Sequence, residues 1–99
     1  MIPHRQCIVI TGGTVIGEHV TIFHGVTIGG NGKKKDGTPR IGNQVKIFAG
    51  AKVLGPITIE DNSVIGANAV VLCSVPRNSI ALGIPAKVRK LNEKVVVNN

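Results

Sequence analysis

Three histidines, two cysteines and a set of clustered cations are the residues of this chain that could do chemistry. Their spacing tells them apart. His4 lies six residues before Ile10, and counting on in sixes reaches Ile16, Ile22 and Ile28. A titratable ring thus occupies a position that later residues give to isoleucine. An imidazole titrates near neutrality, so it can take a proton from a hydroxyl and return it to a leaving group. His24 follows Ile22 by two and His19 follows Ile16 by three, so both read as surface residues, His19 at a corner. Cys7 and Cys73 stand in unrelated contexts without metal-ligand spacing. No metal site and no disulfide is expected, and a reducing cytoplasm is the default compartment.

The period that isolates His4 runs through most of the sequence. After one interruption it resumes at Ile41, Ile47, Val53, Ile59, Ile65 and Val71. Four residues after each of these positions, Ile28 apart, stands a small or β-branched residue: Thr14, Val20, Val26, Val45, Ala51, Ile57, Ser63, Ala69 and Val75. Gly17, Gly29, Gly42 and Gly66 come directly after the aliphatic residue, where a chain turning a corner leaves no room for a side chain. A period of six is neither the 3.6 of a helix nor the 2 of an ordinary strand. It predicts an all-β fold, a parallel β-helix of hexapeptide repeats. Each hexad supplies one short strand and one corner, and three hexads close a triangular coil. The two repeating positions fill the prism, and each coil is stable only against a neighbour. Ile10 to Val71 makes roughly three and a half coils, near the minimum of about three for such an array. A sandwich of short strands alternates in twos and would not keep this phase across an insertion.

The 99 residues make one domain, expected over 1–90, with a tail over 91–99. A narrow core of Ile, Val and Ala buries little area per residue, so an oligomer is expected. Phe23 and Phe48, the only aromatic residues, each follow an inward isoleucine and should face outward, at a subunit contact or a shielded corner. No signal peptide and no apolar run of membrane-spanning length is recognised, so no membrane partner is expected. Twelve Lys and Arg against five Asp and Glu give a formal charge of +7, which raises the question of nucleic acid. Without an aromatic platform for bases or a helical reading element, nucleic acid is not expected. The cations gather instead at Lys33-Lys34-Lys35 and at Lys87, Arg89, Lys90 and Lys94. A solvated loop and tail account for them, or a small polyanionic ligand.

Between Ile28 and Ile41 the gap is thirteen, so seven residues are inserted without disturbing the phase on either side. The segment 29–40 should therefore leave the prism as an extruded loop. A Walker motif would need glycine at Thr27 and Ser or Thr at Lys34, so the glycines there are not a nucleotide loop. Loops extruded from rigid scaffolds often carry function, and this one reads as a wall of a binding site.

The stretches from Val20 to Lys33, Pro39-Arg40-Ile41-Gly42, Ala49 to Gly55, Ile65 to Val71 and Gly83-Ile84-Pro85-Ala86-Lys87 resemble the C-terminal domain of bacterial serine acetyltransferases. More broadly they are similar to left-handed β-helix hexapeptide acyltransferases, some of which acetylate sugars. The resemblance implies a left-handed prism, a homotrimer with each active site between two copies, and acetyl-CoA as co-substrate. It implies a histidine that acts as general base on the acceptor hydroxyl, which attacks the thioester directly, and it puts that role on His4. The pantetheine arm would lie against small residues matched by Gly29, Ala49 and Ala67. Lys87 and Arg89 would meet the coenzyme phosphates, since cations pair well with them. His24, Asn31 and Thr38 are the expected contacts on the acceptor side. Ala49 and Ala67 are eighteen residues apart, so the period alone stacks them on one edge.

The chain departs from the family at several places. Pro3 stands where an acidic residue precedes the base, and Gly37-Thr38 stand where arginine and histidine grip the amino acid. A sugar hydroxyl needs no such clamp. The expectation is thus an acetyl-CoA-dependent O-acetyltransferase acting on a small-molecule or sugar hydroxyl. Serine O-acetylation, or a non-catalytic trimeric scaffold that is a truncated, inactive form, are the alternatives.

Overall fold

The computed structural model describes residues 8–30 and 37–90. Alternation of one outward and one inward residue, interrupted every few positions by a turn, yields strands only two or three residues long through most of the chain. They are β1 (Val9–Ile10), β2 (Val15–Ile16), β3 (Thr21–Ile22), β4 (Thr27–Gly29), β5 (Arg40–Ile41), β6 (Lys46–Ile47), β7 (Lys52–Leu54), β8 (Thr58–Ile59), β9 (Val64–Ile65) and β10 (Val70–Val71). Two longer strands close the described chain, β11 (Ser79–Gly83) and β12 (Ala86–Lys90). Through β10 every third strand joins the same sheet, and β11 and β12 extend the third, giving β1-β4-β7-β10, β2-β5-β8 and β3-β6-β9-β11-β12. These three sheets are the faces of a triangular prism, a left-handed parallel β-helix. Among the described residues no helix is long and apolar enough to cross a membrane.

The register repeats the sequence period. Ile10 pairs with Ile28 and Val53 with Val71, each eighteen residues on. Where the insertion intervenes, Ile16 pairs with Ile41 and Ile22 with Ile47, which is eighteen plus the seven inserted residues. The segment that leaves the prism lies between Gly29 and Arg40, both of which belong to strands, so it is shorter at each end than the expected 29–40. Ile22, Ile28, Ile47, Ile59 and Ile65 are fully buried, stacked with Val26, Val45, Val53 and Ala51. This contiguous apolar column is the main source of stability, because burial of apolar area dominates folding.

The last coil contracts. Val75 bridges Ile59, and Ala81 pairs with Ile65, each sixteen residues on. Val75 therefore sits over Ile59, not over Ile57 as the hexad count required. The shortened corner brings Ser74 Oγ to 3.0 Å from the Thr58 N–H, which it accepts. The chain then turns back, and β12 runs antiparallel to β11 with Ile80 opposite Arg89 and Leu82 opposite Lys87. This hairpin closes one end of the prism and has no counterpart in the hexad pattern.

The corners correct one expectation about glycine. The left-handed backbone falls three residues after the inward aliphatic residue, at Gly13, His19, Gly25, Gln44, Gly50, Asn62 and Asn68. Gly17 and Gly42, directly after it, are needed for a different reason. A Cβ on Gly17 would strike Asn43 Oδ1, and one on Gly42 would strike Asp61 Oδ1. Those side-chain oxygens cross to the preceding coil, where Asn43 Oδ1 accepts the Glu18 N–H at 2.9 Å and Asp61 Oδ1 accepts the Asn43 N–H at 2.8 Å. The glycines make room for a ladder between coils.

Candidate active site

One edge of the prism collects most of the residues singled out in the sequence. Chain leaving the sheet β3-β6-β9 turns a corner before entering β4, β7 and β10, and the three corners hold His24-Gly25, Ala49-Gly50 and Ala67-Asn68. The second residue of each pair has positive φ, which glycine and asparagine tolerate best. Backbone bonds fix the stack. The Gly50 N–H donates to the His24 carbonyl at 3.1 Å, and the Asn68 N–H donates to the Ala49 carbonyl at 2.9 Å. His24, Ala49 and Ala67 are thus vertical neighbours, with Ala67 and His24 exposed and Ala49 half-buried. The sequence period placed the two alanines together, and the insertion hid that His24 stands beneath them.

On the face beside this edge the rings of Phe23 and Phe48 stack one coil apart, centroids 5.0 Å and planes tilted by 55°. Both are half-buried. Gly66 follows in the same column. A Cβ there would meet Leu82 Cδ2, so the Leu82 side chain lies across that glycine.

The turn of the terminal hairpin continues the same edge. Ala81 pairs with Ile65, so Gly83 stands over the Ala67 corner, and Lys87 lies opposite Leu82. Leu82, Gly83, Ile84, Pro85, Lys87 and Arg89 line an open hollow of about 410 Å³. Lys87 and Arg89 are exposed and two residues apart on one strand, so both cations face one side. The apolar tip, with Ile84 73% exposed, was not expected. Its signal was present in the alternation of Ser79 to Gly83 and Ala86 to Lys90 around Ile84-Pro85.

The other predicted residues lie elsewhere. Gly29 ends β4, at the far side of that sheet from the Ala49 edge. Its carbonyl accepts the Gly55 N–H at 2.9 Å, and a Cβ on it would strike Thr11. Thr38 is half-buried against the preceding coil, where a Cβ on Gly13 would come within 3.3 Å of Thr38 Oγ1. A Cβ on Gly30 would lie 3.1 Å from the Gly37 carbonyl oxygen, so the extruded segment is pinched at its neck. His4 and Asn31 lie outside the described residues. Among the described residues no group of three His, Cys, Asp or Glu could hold a metal ion.

Chemically, the edge offers small side chains that expose backbone, a cationic end and an imidazole at the other end. Residues 38–73 match the bacterial transferase hexapeptide family (six repeats). Over 87 residues the chain is 53% identical to serine acetyltransferase of Helicobacter pylori strain 26695, covering 87% of this chain and 51% of that protein. Over 90 residues it is 52% identical to serine acetyltransferase of Staphylococcus xylosus, covering 90% of this chain and 42% of that protein. The chain thus spans about half the length of the curated relatives it matches. Serine acetyltransferase of Neisseria gonorrhoeae superposes with a TM-score of 0.88 at 41% identity, over 96% of this chain and 38% of that one. The Brucella abortus strain S19 enzyme in complex with coenzyme A superposes at 0.79 with 46% identity, over 81% of this chain and 32% of that one. The period, the prism and these likenesses agree: the chain is a left-handed β-helix of hexapeptide repeats, similar over most of its length to part of the serine acetyltransferases.

Proposed function

We propose that this chain is the acyl-transfer part of an acetyl-CoA-dependent O-acetyltransferase. The observation that carries the reading is the edge of Ala49 and Ala67, which ends at Lys87 and Arg89. A pantetheine arm is an extended amide chain, and it binds well where small side chains leave backbone groups within reach. Its phosphates bind well beside paired cations. The relative solved with coenzyme A supports the same ligand.

Transfer needs no covalent enzyme intermediate. The acceptor oxygen attacks the thioester carbonyl carbon while the base takes the hydroxyl proton. The C–O bond forms, the C–S bond breaks, and the proton passes to the leaving thiolate, giving an ester and free coenzyme A. His4 is the proposed base. In the sequence it keeps the hexad phase six residues before Ile10, and the resemblance gives it the role of base.

L-Serine is the acceptor that the relatives favour, since the matched curated proteins are serine acetyltransferases. This overrides the preference for sugars drawn from the sequence. A sugar hydroxyl remains the second reading on one observation: Thr38 is turned against the Gly13 corner, and neither it nor Gly37 supplies a cation for a carboxylate. A homotrimer suits the position of Gly29. It is a strand's length from the Ala49 edge, so a groove between copies takes Gly29 from one and the alanines from the next.

Release of free thiol from acetyl-CoA, measured with L-serine and with a panel of hexoses, tests the reading. Serine-dependent release with formation of O-acetylserine supports the first acceptor. Release with a hexose alone supports the second. A protein that releases thiol under neither condition is a scaffold.

A further inference from the structure

The mechanism above leaves one reactive side chain on the coenzyme edge without a task. His24 is exposed, so its ring is accessible to a ligand laid along this edge. Its place is fixed. The carbonyl of His24 is held by the Gly50 N–H at 3.1 Å, and Gly25 after it takes φ 75°. At the equivalent position of the next two coils the residue is alanine.

The edge therefore changes character along its length. From the cationic hairpin it passes Ala67 and Ala49, and at β3 it meets an imidazole. Four strand spacings separate β12 from β3, at about 4.8 Å each. That is the span of an extended pantetheine arm with its phosphates. An arm anchored by Lys87 and Arg89 and laid over both alanines brings its thioester to the level of His24.

We infer that His24 donates a hydrogen bond from its imidazole N–H to the acetyl carbonyl oxygen of the bound thioester. The inference rests on the O-acetyltransferase reading and adds a second catalytic residue to it. Attack by the acceptor moves the carbonyl π electrons onto that oxygen, so the charge that develops there is what the N–H stabilises. When the C–S bond breaks the electrons return, and the donor keeps its proton throughout. His24 is thus distinct from the base, which must lose and regain one. A neutral imidazole suffices, because either tautomer carries one N–H. Alanine above and histidine below fits this division: the arm needs room, and the carbonyl needs a donor.

The test compares His24→Ala with His24→Gln, whose amide N–H can replace the imidazole as donor but cannot act as a base. Thiol release from acetyl-CoA is followed with L-serine and with hexoses, and coenzyme A binding is measured by calorimetry on the same proteins. Removing one such donor lowers kcat by about a hundredfold or more. The expected result is a loss of that size in His24→Ala, a return to within tenfold of wild type in His24→Gln, and unchanged affinity for coenzyme A, which lacks the acetyl group. Full turnover in His24→Ala overturns the role. So does a His24→Gln variant no better than alanine, or a loss of coenzyme A binding in either. A wild-type chain that binds coenzyme A yet releases no thiol with any acceptor overturns the transferase reading and this inference with it.

Discussion

The Asn68 N–H donates to the Ala49 carbonyl at 2.9 Å, which sets Ala67 directly over Ala49 on one edge of the prism. An indole at position 67 would fill the space that a pantetheine arm needs there. The Ala67 side chain is exposed, so its replacement leaves the stacked isoleucines untouched. Ala67→Trp is expected to abolish measurable coenzyme A binding while thermal melting and oligomeric mass stay at the wild-type values. Unchanged affinity in the folded variant would remove the edge as the coenzyme site.

Lys87 and Arg89 stand at the end of the same edge on an exposed strand. Exposed charge pairs act through a screened field, with a Debye length of about 10 Å at 0.1 M salt. Lys87→Glu and Arg89→Glu should each weaken coenzyme A binding, more at low salt than at high. Calorimetric titration at two ionic strengths reads this. Dephospho-coenzyme A, with fewer charges, should lose less. A salt-independent loss would point to altered folding of the hairpin instead of a phosphate contact.

Stability depends on the ladder of polar side chains at the opposite edge. A Cβ on Gly42 would strike Asp61 Oδ1 and lie 3.0 Å from the Asp61 amide nitrogen. The Asp61 carboxylate must then leave the Asn43 N–H that it accepts at 2.8 Å. Both residues are exposed, so water takes up the freed N–H and the loss is that of an ordinary hydrogen bond, about 0.5–1.5 kcal/mol. Gly42→Ala should therefore lower the midpoint of guanidinium unfolding. Gly12→Ala is the control, because a Cβ there meets nothing within 4 Å, and its midpoint should stay near wild type. Equal shifts in the two variants would mean that glycine flexibility, not the ladder, sets the effect.

Much of this was legible because a β-helix couples sequence period directly to register. Ile10, Ile28, Val53 and Val71 had only to be counted to be paired. The same coupling explains what stayed hidden. The true corner position carries Gly13, Gly25, Gly50, Asn62 and Asn68, a signal that His19 and Gln44 interrupt and that the more conspicuous Gly17 and Gly42 drew attention from. Gly17 and Gly42 were conspicuous, yet they answer to Asn43 and Asp61 one coil on, a contact invisible without the stack. Val75 lies two residues early because a corner can shorten while its neighbours keep phase. His24 was separated from Ala49 by the seven inserted residues, and the pairing of Ile22 with Ile47 and the bond from the Gly50 N–H show them as neighbours.

The base is the last point that mutation can decide. His4→Ala should lower turnover by about a hundredfold to ten-thousandfold, the usual range for a general base. Coenzyme A affinity should not change, since binding the coenzyme requires no proton to be removed. The amide substitution separates this histidine from His24. A glutamine at position 4 has no basic nitrogen to accept the hydroxyl proton, so His4→Gln should be as impaired as His4→Ala. His24→Gln should recover most of its activity, because an amide N–H replaces a donor. Free thiol release under saturating acetyl-CoA reads both pairs in one assay. Rescue at position 4 would make that residue a donor, and full activity in His4→Ala would remove the base assignment altogether.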